Sequence, residues 1–393
     1  MLKNVKLKEL GEIFTGSTPS KKNKEFYNSE DIMFIKPDIL AFDIVNIGVS
    51  NEYISEKARE KARILPANSL LVSCIGSIGK LGINEKEVAF NQQINAIVPN
   101  NKIKSSRYLA YLLKYNQKKL ESIANAPVVP IINKTQFSEF EVLIHENLNF
   151  QEQITQILDK SKEIIEKRKE QIQFLDKLVK SKFIEMFGEL KTNKNKFRIV
   201  ELESLTTKIT DGVHSKPEYM PEGVEFISVK DINKGNLDFS ECKYISREAH
   251  ESYIKRCKPE KGDILYTKVG ATYGIPAIVD TDKEFSLYVS VALIKLKKGI
   301  VNPIYIKEAL RSVDVKRQAD RQVKGIGVPD LHLVEIKKFN IFNPPIELQN
   351  QFADFIKQVD KLKFEMERIS NLDRKIKNTE GKVKKLLFNM NIM

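Results

Sequence analysis

The sequence predicts an α+β protein in which two similar mixed α/β modules are separated by two long antiparallel helices forming a coiled-coil spacer, with a pseudo-twofold internal repeat. Three observations lead to this fold class. Stretches at roughly 150–187 and 348–390 carry charged heptads with an apolar seam. The segments before them repeat one another. Within each repeat, short apolar runs bounded by Gly, Asn and Pro alternate with amphipathic stretches.

The repeat is visible in order along the chain. Leu7-Lys8-Glu9-Leu10 answers Val200-Glu201-Leu202-Glu203, and each leads into a glycine turn, Gly16-Ser17-Thr18-Pro19-Ser20 or Asp211-Gly212-Val213-His214-Ser215-Lys216-Pro217. Phe34 to Ile39 answers Ile227 to Ile232, and Tyr53-Ile54-Ser55 returns as Tyr244-Ile245-Ser246. Leu70 to Gly76 answers Ile264 to Gly270, each with a further glycine behind it, Gly79 or Gly274. Each module closes on a Gln-x-Gln, Gln151-Glu152-Gln153 or Gln349-Asn350-Gln351. The offset between matched positions drifts, so the copies differ by small loop insertions.

Ser69 to Cys74, Ile83 to Phe90 and Ile94 to Val98 read as strands, and Arg107 to Ser122 and Pro303 to Arg317 as helices. The expected division is a first module at 1–149, a central helix at 150–190, a second module at 191–347 and a C-terminal helix at 348–393. Lys191 to Lys196 is the polar linker.

The C-terminal seam runs through Phe352, Phe355, Val359, Leu362, Met366 and Ile369, and Asp373 and Glu380 interrupt it. The central seam runs through Ile154, Ile157, Ser161, Ile164, Arg168, Gln171, Leu175, Leu178 and Lys182, with extra apolar residues beside it at Ile165, Ile172 and Val179. A charged helix gains most of its stability by burying a face, so each needs a partner, and the other is at hand. With ends matched in an antiparallel pair, Arg168 and Asp373 fall within about a turn of each other and are expected to fix the register.

With 393 residues, 41% hydrophobic and 30% charged, the chain has room for two or three domains with a sizeable core. A net charge of +13 and a pI near 9.3 favour a polyanionic partner, nucleic acid being the commonest. Cys74, Cys242 and Cys257 show no paired spacing and the four histidines are scattered, which argues against a structural zinc site and a disulfide framework. The start of the chain lacks the apolar core of a signal peptide and no apolar run approaches a membrane span, so the expected location is cytoplasmic.

The duplicated modules, the Gly-Ser-Thr-Pro-Ser and Asp-Gly-x-His turns, the Lys-(Pro)-Asp-Ile strand ends, the Gly-x-x-Gly-Lys segment and the Pro-Pro-x-x-x-Gln-x-Gln lead-in to a long helix together resemble the specificity subunit of type I restriction-modification systems. The resemblance covers essentially the whole chain. It implies two target-recognition domains on a helical spacer, each reading one half of a split site in double-stranded DNA. It also implies two methyltransferase partners that modify adenine, with or without restriction and translocase subunits. No cofactor is expected in this chain; S-adenosylmethionine, ATP and magnesium belong to the partners.

A reader of base edges needs amides and guanidiniums at loop tips, with Lys, Ser and Thr for phosphates. The first module offers Ser17, Thr18, Ser20, Lys21, Lys22, Lys36, Ser77, Lys80, Asn91, Gln92 and Gln93. The amides of Asn91 to Gln93 suit adenine, whose N6 and N7 pair with Asn or Gln. The second module offers His214, Ser215, Lys216, Lys230, Lys268, Thr272, Tyr273, Arg317, Arg321 and Lys324. The different residue types fit two different target words.

Enzyme motifs are incomplete. Phe14 to Thr18 has Thr where a methyl-donor loop needs its second Gly, and Asn343-Pro344-Pro345-Ile346 lacks the aromatic that stacks on a flipped base. Gly76 to Leu81 is too short for a P-loop. The chain is therefore expected to be a non-catalytic DNA-binding subunit. Two alternatives stand beside it: a self-sufficient nuclease using Asp330, Glu335 and Lys337, and a coiled-coil scaffold that binds protein. Phe174, Phe183, Phe187 and Phe364 on the helices are either docking surfaces for the methyltransferases or contacts to the chain's own modules.

Overall fold

The computed structural model describes residues 2–124, 129–233, 235–324 and 327–378, with side chains as far as Met366 apart from Asn233. It divides into two units, one holding the chain up to Lys167 together with the stretch from Asp373, and the other spanning Arg168–Leu372, so that each long helix is shared between the two. Among the described residues no helix is long and apolar enough to cross a membrane.

The first unit opens with β1 (Leu2–Lys6), β2 (Gly11–Thr15), β3 (Ile32–Ile35), β4 (Ile44–Ile47), β5 (Tyr53–Ile54), β6 (Ile64–Leu65) and β7 (Leu70–Ser73). It continues with β8 (Leu81–Asn84), β9 (Val88–Phe90), β10 (Ile94–Pro99), α1 (Ser106–Tyr115), α2 (Gln117–Ser122), α3 (Lys134–Glu139) and β11 (Glu141–His145). The long helix α4 (Leu148–Phe187) follows. The strands form a five-stranded sheet in the order β2-β10-β7-β8-β4, a four-stranded sheet in the order β5-β3-β9-β6, and the pair β1-β11. Strands β3, β7 and β8 are buried along their whole length, as near-continuous apolar runs are when both faces of a sheet are covered. Leu7, Leu10, Leu70, Val72, Leu109, Leu113 and Phe137 fill the core, and Ile154 of α4 joins them.

The second unit contains β12 (Arg198–Glu201), β13 (Thr206–Asp211), β14 (Val224–Ile227), β15 (Ile232–Asn233), β16 (Asn236–Leu237), β17 (Lys243–Ile245) and α5 (Arg247–Ile254). Beyond these lie β18 (Ile264–Thr267), β19 (Pro276–Ile278), β20 (Phe285–Leu287), β21 (Val291–Leu296), α6 (Pro303–Arg311), α7 (Val313–Gln322), α8 (Leu333–Lys337), β22 (Asn340–Asn343) and α9 (Ile346–Asn378). Its sheets reproduce most of the first unit: β13-β21-β18-β19 matches β2-β10-β7-β8, β17-β14-β20 matches β5-β3-β9, and β12-β22 matches β1-β11, whereas among the described residues the edge strands β4 and β6 have no counterpart in these sheets. The parallel pairing is kept as well, Ile35 beside Phe90 and Ile227 beside Leu287. The duplication read from the sequence is therefore a duplication of topology.

Local chemistry explains where elements break. The apolar run from Ile83 to Phe90 is two strands, β8 and β9, separated by the exposed Glu85, Lys86 and Glu87. Pro303 to Arg317 is two helices, because Ser312 is extended and its hydroxyl accepts from the Val315 N–H as the N-cap of α7. Arg107 to Ser122 likewise splits at Asn116. Asn302 caps α6, with Pro303 at its first position.

In the second unit, the C-terminal half of α4 packs antiparallel on the start of α9: Phe183 and Phe187 meet Phe352, and Asp176 accepts from Lys363 at 2.6 Å. The contact line on α4 differs from the heptad reading. Val179 is buried, Phe187 is fully buried and Phe183 is half-buried, whereas Leu178 is exposed. The helix turns this face inward because Phe187 fits among Tyr305, Phe352 and Phe197, with ring centres 4.8, 5.4 and 6.4 Å away. Phe183 and Phe187 are accordingly contacts to the chain's own module, while Phe174 and Phe364 remain exposed. On α9, Phe352 and Val359 are buried as expected, and Leu362 is exposed. Arg168 donates to Gln171 of its own helix at 2.9 Å, and the Asp373 side chain lies outside the described residues.

Candidate nucleic-acid interface

One end of the main sheet in each module gathers four chain segments through backbone hydrogen bonds. In the first module, Gly16 donates to Ile94 O and Ser17 to Phe90 O, which binds the turn after β2 to the turn before β10. Cys74 donates to Gln93 O at 2.8 Å, Gly76 to Pro130 O at 2.9 Å, and Ile132 to Cys74 O at 2.8 Å. The second module repeats the pattern: Gly212 to Val291 O, Val213 to Leu287 O, Lys268 to Ser290 O at 2.9 Å, Gly270 to Pro329 O at 2.9 Å, and Leu331 to Lys268 O at 2.8 Å.

Glycine permits the closest approach. A Cβ on Gly16 would stand 2.1 Å from the Asn91 carbonyl oxygen, and one on Gly212 would stand 1.9 Å from that of Leu287. Both values lie far inside contact distance, so the turns close only without a side chain.

Side chains on this framework differ between modules. In the first, Thr18 Oγ1 donates to Gln92 Oε1 at 2.6 Å, joining the two turns. Asn91 is buried; its Oδ1 accepts from the Gln93 N–H and its Nδ2 donates to Gln93 Oε1. This corrects its expected placement as a free amide at a loop tip, because both of its polar atoms are spent on closing its own turn. Gln92 is exposed and Gln93 half-buried. Ser17 Oγ reaches Lys61 O at 3.5 Å, and Ser20, Lys21 and Lys22 follow as an exposed stretch. Lys36, next to the Ile35 carbonyl that holds the Asn91 N–H, is paired with Glu52. Ser77 is exposed on the loop after β7, and the Lys80 ammonium sits 5.8 Å from the centre of the exposed Phe42 ring.

In the second module, His214, Ser215 and Lys216 are exposed on the turn after β13, and His214 Nε2 lies 3.2 Å from Asp211 Oδ1. Lys230 is exposed on the turn after β14, two residues past Ser228, which takes the place of Lys36. Thr272 is exposed in the glycine loop. Tyr273 beside it donates to Asp320 at 2.5 Å and carries the Lys316 ammonium 3.5 Å from its ring centre. The hydrogen bonds from Tyr273 and Lys316 depress the Asp320 carboxyl below its usual range. This contact fixes α7 next to the loop and exposes Arg317, 3.8 Å from Asp314, and Arg321. Lys324 pairs through its backbone with Asp330, and its ammonium is 4.0 Å from Glu335.

Lys268 is the second correction. It is 5% exposed, with its ammonium 3.5 Å from Asp211 Oδ2 and 3.7 Å from Asp330 Oδ1, so it lies under the surface rather than on it. Sequence reasoning missed Arg256. Its guanidinium donates to the carbonyls of Asp211 and Gly212 and lies 3.3 Å from the Asp211 carboxylate. In the sequence it is only one of three basic residues, Lys255, Arg256 and Lys258, just after α5, and nothing there singles it out.

The nuclease alternative loses its geometry. Asp330 faces Lys268, Glu335 faces Lys324, and Lys337 is paired with Glu203 at 2.7 Å. Among the described residues no group of His, Cys, Asp or Glu is placed to hold a metal ion.

A family model described as the type I restriction modification DNA specificity domain matches residues 2–173 and again residues 194–378. The chain belongs to this family. A type I restriction enzyme specificity subunit of Methanocaldococcus jannaschii is 25% identical over 374 residues, covering 89% of this chain and 85% of that protein. The HindI specificity subunit of Haemophilus influenzae is 33% identical over 162 residues, 39% of this chain and 35% of that protein. The solved S subunit from M. genitalium superposes with a TM-score of 0.56 at 15% identity, over 97% of this chain and 95% of that one. The relatives are specificity subunits, and this chain is a non-catalytic subunit of the same kind. Its two family matches fall on the two topological repeats, so each four-segment surface belongs to one specificity domain.

Proposed function

We propose that this specificity subunit reads a bipartite site in double-stranded DNA, one short word for each module, and directs adenine methyltransferase and restriction subunits to it. The observation that carries the reading is the duplicated four-segment surface, whose backbone is the same in both modules and whose exposed groups differ. The first presents hydroxyls and glutamine amides with Lys21 and Lys22; the second presents His214, Lys216, Arg317 and Arg321. Amides favour adenine and guanidiniums favour guanine, so the two words differ. The charge of +13 supplies the attraction to phosphate that is common to all sequences.

A helix of the length of α4 spans about 60 Å, against about 34 Å for a duplex turn, so an unread gap of about one turn separates the words. S-adenosylmethionine, ATP and magnesium act in the partner subunits, and the complex works in the cytoplasm with the DNA. The exposed Phe174 and Phe364 are offered to two methyltransferase subunits.

Mapping of methylated adenines in cells that express the chain with its methyltransferase, and in cells that lack the chain, tests the reading. A split motif that depends on the chain is the expected result. An unchanged map, together with no duplex binding at low salt, would favour the protein-binding scaffold instead.

A further inference from the structure

The two recognition surfaces share a backbone but are held together by different chemistry. In the first module, Thr15 Oγ1 donates to Asn95 Oδ1 at 2.6 Å, Asn95 Nδ2 reaches Ile132 O at 3.3 Å, and the buried thiol of Cys74 lies at the start of the glycine loop. All of these groups are neutral. Matching backbone bonds place Asp211 where the first module has Thr15 and Lys268 where it has Cys74. Asp330, bridged to Val269, stands where Ile131 is bridged to Ile75.

The first module folds this framework without charge, so the fold does not require the charges of the second. Burying an ammonium is costly unless carboxylates face it. Lys268 has two of them, one at the end of β13 and one on the stretch before α8. Asp211 precedes the turn that carries His214, Ser215 and Lys216, and Asp330 ends the arm that begins at Lys324, with Lys324 N–H to Asp330 O at 2.9 Å and Asp330 N–H to Lys324 O at 2.8 Å. Asp330 Oδ1 accepts no hydrogen bond among the described residues, so it is tied to Lys268 through charge. Arg256 and His214 hold the other side of Asp211.

We infer that Lys268 is a positioning residue for the half-site read by the second module: its buried ammonium draws the Asp211 turn and the Asp330 arm together under the glycine loop and so aims His214, Lys216, Thr272 and Lys324. Reading base edges depends on donors held in place, and side chains on loops that drift apart still contact phosphate but discriminate bases poorly. The inference rests on the bipartite reading proposed above.

The test maps adenine methylation in cells carrying the full chain and its methyltransferase, with the wild type, Lys268→Met, Lys268→Arg and Asp330→Asn. Methylation of single-mismatch sites should rise by about tenfold in one word only for Lys268→Met and Asp330→Asn. The other word and the gap should stay as in the wild type, and Lys268→Arg should keep the wild-type pattern. A merely structural role would lower methylation at every site without changing which bases are accepted. If Lys268→Met gives no folded chain, Asp330→Asn decides, because that side chain is partly exposed and its backbone bonds survive. Wild-type discrimination in Asp330→Asn, or equal relaxation of both words, overturns the inference. A wild-type map with no split motif instead removes the functional reading, and this inference with it.

Discussion

Gln151 and Gln349 are one residue repeated: each is fully buried in the first turns of its long helix and holds the same two parts of its module. Gln151 Oε1 accepts from the Lys104 N–H at 2.8 Å, and Gln349 Oε1 from the Asn302 N–H at 2.9 Å. The Nε2 groups donate to His145 O at 2.6 Å and to Pro344 O at 2.8 Å, and Gln151 Nε2 also reaches Lys102 O at 2.9 Å. Each long helix is thereby rooted to the segment before α1 or α6 and to the end of the last strand. Gln151→Leu should destabilise the first unit by about 2–4 kcal/mol, because buried N–H and C=O groups lose their partners. Gln349→Leu should act in the same way on the second. Denaturant unfolding of each variant measures both.

Phe187→Ala should cost about 3–5 kcal/mol, since the ring is fully buried among Tyr305, Phe352 and Phe197. Phe174→Ala, at an exposed position, should stay within about 0.5 kcal/mol of wild type. On the proposed function it weakens assembly with the methyltransferase. Unfolding curves and co-purification separate the two effects.

Burial opposes charge on Asp43, but Lys114, the Ile44 N–H and Lys162 overcome it and hold the carboxyl well below the usual carboxylate range. A depressed folded value contributes stability that is fully present above the unfolded value of about 4 and is lost as pH falls through the folded one. Asp43→Asn should therefore flatten the loss of stability below about pH 4, by under about 1 kcal/mol, because nearly half the side chain faces water. Thermal unfolding of both proteins across the acid range checks this.

Lys21 and Lys22 are exposed and form no ion pair among the described residues. If they contact phosphate, replacing both with Ala should weaken binding to all duplexes alike and reduce the slope of log affinity against log salt by up to about two. Titrations at several salt concentrations measure the slope.

Inserting seven residues in α4 with seven in α9 lengthens each helix by about 10.5 Å, close to three base-pair steps of about 3.4 Å. The methylated motif should keep both words and gain about three base pairs of gap. Unchanged spacing would refute the ruler.

The duplication was legible because recurring glycines and strand ends survive divergence: Gly16 and Gly212 have no substitute where a carbonyl lies near 2 Å from a Cβ. The Gln-x-Gln pattern marked the helix roots for a similar reason. Surface loops offered less. Thr18 and Gln92 stand 74 positions apart and form one hydrogen bond. Asn91 and Lys268 have the right chemistry for DNA, yet one closes its own turn and the other lies under the surface.

The sequence by itself determined the fold class, the repeat, the existence of the long helices and the family, because period, spacing and glycine placement are local properties that one chain records. Only the tertiary structure decided which face of α4 turns inward and which polar residues are spent inside. A heptad pattern offers two neighbouring faces of similar hydrophobicity, and the choice fell to the pocket formed by Tyr305, Phe352 and Phe197 around Phe187. The same holds for Lys268: whether a lysine meets solvent or carboxylates depends on residues 57 positions before it and 62 after it, which only the fold brings within 4 Å.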